Sequence, residues 1–488
     1  MRVIQGEADR GPIVSLSITL GALTVLTLTT VMGLPSMEVS ALVTATIVGA
    51  LAYRVLLQWH ALIALMLLVI LFIPIKRYRM PGDLPFELEP YRVVVALVAA
   101  AWITSLLIDP RVRMRASGFE APLLLFAGAA LSSYLVNGSA INALGVESKV
   151  IKELTFLASF LAVLYMIASV ARNSRNLDFL LQILVGGGAL IALLAIVEAR
   201  TGLNPFNHLS VIPFLESDEL LNEQRRAGRI RAYGTAQHPI ALGAALVVLL
   251  PLAVYLARRR DERRWWAACL FLALGALATM SRTSILMLVT VGIVIFWLRP
   301  REIKRIWPVL LPMVILVHFA LPGTIGGLRQ SFFPEGGLIA DQSTNPGSRG
   351  QGRVADLGPA FAEFKETPIV GQGFGSRVVD GENPNAQILD NQWLVSLLET
   401  GFVGVLALVV LFTRAVRRLA RAAKEKAEER SGWLFAALAA SIASFAVGMF
   451  TYDAFSFVQV TFFLYILLGV AAAALSLEAR ERQGSEAA

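Results

Sequence analysis

RIRAYGTAQHPIALGAALVVLLPLAVYLA, residues 229–257, is a polar loop that runs directly into an apolar segment. Proline at 239 suits the first turn of a helix, because the N–H it lacks needs no partner there. From Pro239 to Ala257 the chain is apolar over about the length that crosses a hydrocarbon core. The loop therefore delivers Arg229, Arg231 and the imidazole of His238 to the mouth of a transmembrane helix. Such a helix end carries partial positive charge and free N–H groups, which favour an anion. At a membrane surface a phosphate-bearing lipid is the obvious anion.

The whole chain agrees with a membrane setting. Its 488 residues are 56% hydrophobic and 16% charged, and mean hydropathy is +0.66. A soluble protein of this size has a different composition. The formal net charge is +8 and the pI about 9.8. Nucleic acid is not the reason, because the cations fall mostly in short loops between apolar runs, as the positive-inside rule requires. The single cysteine, Cys269, rules out a disulfide framework or a cysteine-based metal site. The first apolar run, Pro12 to Leu34, is long enough to span, so it reads as a helix and not as a cleaved leader.

The expected fold is all-α and polytopic, with about 12–14 transmembrane helices. The candidate spans are 13–34, 38–57, 61–75, 91–109, 119–136, 151–171, 178–199, 239–257, 265–281, 283–298, 306–322, 391–413, 432–451 and 454–477. The basic stretches 111–115, 258–264, 299–305 and 414–430 then all fall on one side, together with both termini, and that side is cytoplasmic. Residues 1–199 form an N-terminal helical block, 200–238 an outer loop, 239–322 a central helical block, 323–390 a large outer loop and 391–488 the C-terminal helices. Within the large loop, Leu357, Phe361 and Phe364 fall at helical spacing between Arg353 and Glu366. Residues 371–376, GQGFGS, make a turn-rich close. Gly186 to Gly188, inside a span, allow close helix packing.

Three spans begin on the outer side behind a polar residue: His238, Arg282 and Asp390. If the spans pack together, their N-termini converge. Arginines grip phosphate oxygens as a fork and stay charged, and an ionised carboxylate can accept a hydroxyl proton. Quieter readings stand beside these. Arg231 can touch lipid headgroups, Arg282 can be a snorkelling anchor, and His238 or Asp390 can simply cap its helix. His60 and His318, at span ends, read as structural. No Asp-X-Asp pair occurs, so no divalent cation is demanded, and no Walker sequence supports ATP-driven transport.

RAYGTAQHPIALG (231–243) resembles the arginine-to-His-Pro signature of the O-antigen ligase and polymerase family. LATMSRTSILML (277–288) resembles its Ser-Arg signature, and GRVADLGPAFAEFKETPIVGQGFGS (352–376) its large outer loop. DNQWLVSLLETGFVG (390–404) and IVEARTGLNPF (196–206) also fit. The resemblance implies a GT-C-like membrane glycosyltransferase that works without a metal or other cofactor. Its donor is a glycan on undecaprenyl pyrophosphate, and its acceptor is lipid A-core in a ligase or another lipid-linked repeat in a polymerase. It further implies a multi-pass protein of the cytoplasmic membrane with the active site outside.

Carried over by position, Arg231 and Arg282 hold the pyrophosphate, and Arg353 is the loop arginine. Arg229, His238, Asn391 and Trp393 join the substrate site. Asp390 stands where ligases have histidine, which makes the base a carboxylate and tilts the reading from ligase to polymerase. A flippase for lipid-linked glycan is the rival from another class. It would place ionisable groups near mid-membrane in several spans, whereas here the polar groups crowd the outer ends.

Overall fold

A computed structural model describes residues 58–81, 88–109, 112–171, 173–217, 224–226, 228–260, 262–301, 315, 318–324, 326–327, 329, 357–377, 389–427, 429 and 431–486. The predicted spans 13–34 and 38–57 lie outside these residues, as does most of 306–322. Each remaining span falls on one helix. These are α1 (Trp59–Phe72), α2 (Pro90–Ile108), α3 (Glu120–Val136), α5 (Glu147–Val170), α6 (Ser174–Thr201), α7 (Pro239–Arg260), α8 (Arg263–Ala278), α9 (Arg282–Leu298), α11 (Gln392–Glu425), α12 (Gly432–Gly448) and α13 (Val458–Glu486). Two short helices, α4 (Gly138–Ala143) and α10 (Leu357–Phe364), lie between them. Among the described residues the only strands are two-residue pairs, Tyr78–Arg79 against Glu216–Ser217 and Arg225–Arg226 against Arg229–Ile230. The protein is an all-helical polytopic membrane protein. Among the described residues six helices are long and apolar enough to cross a membrane.

Burial sorts the helices by depth. α7 and α13 are each 83% buried over their apolar windows, and α2 only 22%. A helix apolar on all sides belongs at the centre of a bundle or against lipid. α7 and α13 take the centre, while α2 turns Leu97, Leu107 and Ile108 outward. Close approach is bought with small residues. A Cβ on Gly188 would stand 2.4 Å from Leu249 of α7, one on Gly187 2.9 Å from Leu71 of α1, and one on Gly243 1.9 Å from the hydroxyl of Ser284 in α9.

α11 departs from the expected single span. At Gly401 the backbone turns to φ 66°, ψ −165°, a region open in practice to glycine alone. A short helix therefore ends at Thr400 and a second one starts at Phe402. The backbone groups freed there sit inside the protein, where they must be paired. The segment before GQGFGS and its first residues pair them: Phe402 N–H donates to Pro368 O (2.9 Å), and Leu398 O accepts from Gln372 N (2.9 Å). Ser133 of α3 donates to Glu399 O at 2.5 Å. The turn-rich close thus plugs a broken helix. α11 also continues to Glu425, so most of the basic stretch 414–430 is helix, not loop. Its Ala, Leu and Arg residues are strong helix formers, and Arg418 reaches across to Gly118 O at 3.0 Å.

α10 is the short helix expected from Leu357, Phe361 and Phe364. Only part of that face is covered. Leu357 and Phe361 stay exposed, while Ala360 and Phe364 pack on Leu389, just before α11, and on Leu394 and Leu398 of its first half.

Candidate active site

Contacts gather at two ends of the bundle. At the end holding the described parts of the four basic stretches, Asp178 binds Arg259 at 2.9 Å and Arg299 donates to Ala423 O at 3.0 Å. The other end holds every candidate catalytic residue.

There, loop 231–238 is clamped from both sides. The Glu198 carboxylate, at the end of α6, accepts the N–H groups of Gly234 (2.9 Å) and Tyr233 (3.3 Å), and the amide of Asn204 (3.2 Å). From the opposite side the fully buried Arg77 donates to Gly234 O (3.0 Å), to Ala236 O and to Asn207 Oδ1 (3.0 Å). Its guanidinium lies 4.9 Å from the Tyr233 ring centroid. Tyr78 ties the next turn by donating to Phe206 O at 2.8 Å. A carboxylate on the amides and a guanidinium on the carbonyls leave this loop little freedom. Sequence reasoning missed Arg77 as a functional residue, although a signal was present. Lys76, Arg77 and Arg79 are three cations in a stretch that the threading of the spans is expected to place outside, where short loops carry few.

The clamped loop lays Arg231 against the α8–α9 turn. Ala232 N–H donates to Ala278 O (3.3 Å), Arg231 Nε to Thr279 O (3.1 Å) and Arg226 to Met280 O (3.2 Å). Met280 is held at φ 47°, uncommon for a residue other than glycine. The turn then ends at Arg282, the first residue of α9. Arg231 is 6% exposed, and one of its terminal nitrogens is buried with no hydrogen-bond partner. Burial first, and then the charge of Arg226, push its guanidinium down to about 9. An arginine in this state fits an anion and is costly without one.

His238 is a capping residue in this structure. Its Nδ1 accepts the N–H of Ile240 at 3.2 Å, so the ring's proton sits on Nε2. Burial, then Arg231 and Arg226, hold the imidazole down to about 4. It is neutral at working pH and adds no positive charge to the mouth.

The turn between α12 and α13 joins the remaining pieces. Thr451 donates to Thr283 at the start of α9 (2.9 Å). Met449 O and Tyr452 O both accept from Gln392 N–H (2.8 and 3.1 Å), and Phe455 N–H donates to Gln392 Oε1 (2.7 Å). Phe457 faces His238 with ring centroids 5.9 Å apart. The N-termini of α7, α9 and α11 therefore meet around residues 449–457, which brings His238, Arg282 and Asp390 to one end and one hub.

Asp390 does not cap α11. Asn391 does so, accepting the Leu394 N–H at 3.2 Å, so the capping reading of Asp390 is replaced by Asn391. Both residue types cap well, and the first helical turn decides between them. Asp390 is half-buried. Its charge is felt at Asp453 in the hub, whose carboxyl is pushed up to about 6, chiefly by burial and then by Asp390. Asp453 is a second acidic group of the site that the sequence reading did not single out. Trp393 gives its indole N–H to Ala446 O (3.0 Å) and packs its ring on Phe412 and Phe450, so it anchors α11 to α12. Arg229 parts from Arg231: it is exposed and lies over Gly323, where a Cβ would meet its guanidinium at 2.1 Å. Arg353 lies outside the described residues.

A family match covers most of α8 through the first turns of the second half of α11. Residues 267–409 match the O-antigen ligase family. Among curated proteins none matches the chain. The matched segment contains Arg282, Asp390, Asn391 and the Gly401 break, while Arg231, His238 and the Arg77–Glu198 clamp lie before it. Members of the family are glycosyltransferase-type enzymes, ligases and polymerases that act on lipid-linked glycan.

Proposed function

We propose that this protein is a polysaccharide polymerase of the cytoplasmic membrane. It takes glycan from undecaprenyl pyrophosphate and passes it to a second lipid-linked glycan on the outer face. The observation that carries the reading is the buried Arg231, with an unpaired nitrogen, held against the turn that leads into Arg282. In the reaction an acceptor hydroxyl oxygen attacks the anomeric carbon. The bond from that carbon to the pyrophosphate oxygen breaks, and its electron pair leaves with the pyrophosphate. Arg231 and Arg282 bind the charge that grows there. Asp390 takes the hydroxyl proton. The carboxylate at 390, where ligases have histidine, is what favours the polymerase over the ligase.

The test is deletion followed by analysis of lipid-linked glycans. Loss of a polymerase leaves single repeats on the carrier. Long chains accumulating on the carrier would instead make the protein a ligase, and lipid-linked glycans accumulating inside while those outside are depleted would make it a flippase.

The orientation has its own test. The end with Arg231 and Asp390 is outside because the basic stretches gather at the other end. With Cys269 replaced by serine, Ser343→Cys should react with an impermeant thiol reagent in intact cells and Ser431→Cys should not. The reverse pattern would invert the whole threading.

A further inference from the structure

A second group of arginines lines a cavity that the site above does not use. It lies between the end of α6, the Arg225–Ile230 hairpin, the end of α8 and residues 321–324, and has a volume of about 380 Å³. That is room for a small ligand or a headgroup. Arg200, Arg225 and Arg229 line it, over a floor that includes Ile230, Ala278 and Leu321. No carboxylate is among its described lining residues, and neither Arg231, Arg282 nor His238 is among them.

Each arginine has a reason to be there. Arg200 is fixed by donating to Phe319 O and Ala320 O (3.4 and 3.3 Å). Arg229 lies over Gly323, whose φ of +77° and lack of a side chain make room for the guanidinium. Arg225 stands at the paired edge of the hairpin, opposite Ile230. Arg200 and Arg229, with Arg225 on the hairpin, give the concavity three guanidinium groups that can donate to phosphate oxygens. The flank is apolar: Phe319, whose carbonyl Arg200 holds, is 72% exposed. Cations in a hollow with bare hydrocarbon beside them match a charged headgroup on a lipid chain better than a free ion.

We infer that this cavity is a second phosphate-binding site, taking the phosphate headgroup of a lipid at the outer surface. Its chemistry rests on the cavity alone. Its natural occupant rests on the polymerase reading, in which two pyrophosphate lipids, donor and acceptor, must be held at once. The mouth at Arg231 holds one and the Arg200–Arg225–Arg229 cavity holds the other. A resident anionic phospholipid offers the same phosphate and is the alternative source.

The test titrates the purified full chain, in phosphatidylcholine nanodiscs, with farnesyl pyrophosphate by calorimetry. Two sites are expected. Arg229→Gln should weaken one of them by on the order of tenfold or more, the loss typical of a charge-assisted bond, and leave the other intact. Arg229→Lys, which keeps the charge, should weaken that site less, which separates lost binding from a damaged fold. Arg231→Ala should abolish the other site. Adding phosphatidylglycerol decides the source: if it competes at the Arg229 site, the occupant is a phospholipid headgroup, and if it does not, the site selects a lipid pyrophosphate. A wild-type isotherm with a single site, or an Arg229→Gln isotherm identical to wild type, overturns the inference. Loss of the Arg229 site with no effect of Arg231→Ala would keep this inference and reject the proposed role of Arg231.

Discussion

Alanine at Arg231 should cost on the order of a hundredfold or more in turnover of lipid-linked donor, as when other preorganised charge-stabilising donors are removed, while leaving the protein at least as stable as wild type. The two effects have one cause. In the protein without ligand the guanidinium is buried, keeps a single side-chain hydrogen bond to Thr279 O and stands near Arg226, which lowers it further, to about 9. A cation depressed in the folded state contributes stability above its unfolded pKa, and that contribution is lost as pH falls through the folded value. At neutral pH the folded protein therefore carries the full cost of holding this charge. Substitution removes the cost together with the function, the trade expected where a site is strained for its task. Thermal melting and turnover measured on the same purified Arg231→Ala preparation check the claim. Lysine should rescue only part of the rate, because a point charge does not reproduce the fork. A variant that melts well below wild type would make Arg231 a structural residue, and one that turns over normally would return it to the lipid headgroups.

Much of this arrangement was legible in the sequence, and the exceptions share a physical reason. The spans follow from apolar length, and the gathering of α7, α9 and α11 follows from threading them alternately. Both are local or additive signals. The break at Gly401 is neither. LETGFVG reads as the interior of an apolar helix, and a glycine there is tolerated in many spans. It becomes a break because Pro368 O and Gln372 N–H, distant in sequence, satisfy the freed groups. The capping choice at 390–391 turned on one residue of register, below what propensity resolves. Glu198 was quoted within a familiar stretch, yet its task of accepting the amides of Tyr233 and Gly234 depends on a loop more than thirty residues away. Arg77 stands beside Lys76 and Arg79 with no local sign of the loop it holds, because its partners Asn207, Gly234 and Ala236 are far off in sequence.

Asp390→Asn should abolish glycan transfer while leaving expression, melting temperature and binding of lipid pyrophosphate close to wild type. The structure sharpens this test. Had Asp390 been the cap of α11, asparagine would have replaced it at little cost, and activity would have survived. Asn391 holds that position, with its Oδ1 on the Leu394 N–H, so asparagine at 390 removes a charge and disturbs no cap. The charge it removes acts on Asp453 in the hub, which is held up at about 6 chiefly by burial and in part by Asp390. Without the charge at 390, Asp453 becomes more acidic, but in the proposed mechanism it does not take the place beside the acceptor. Asp453 in the Asp390→Asn variant is therefore not expected to restore transfer at any pH. Asp390→His puts a ligase-like imidazole at the same point, and partial activity there would give both side chains one task, that of receiving the acceptor hydroxyl's proton. Near-normal polymer from Asp390→Asn would end the carboxylate-base mechanism and leave the arginines to drive transfer by stabilising the departing pyrophosphate alone.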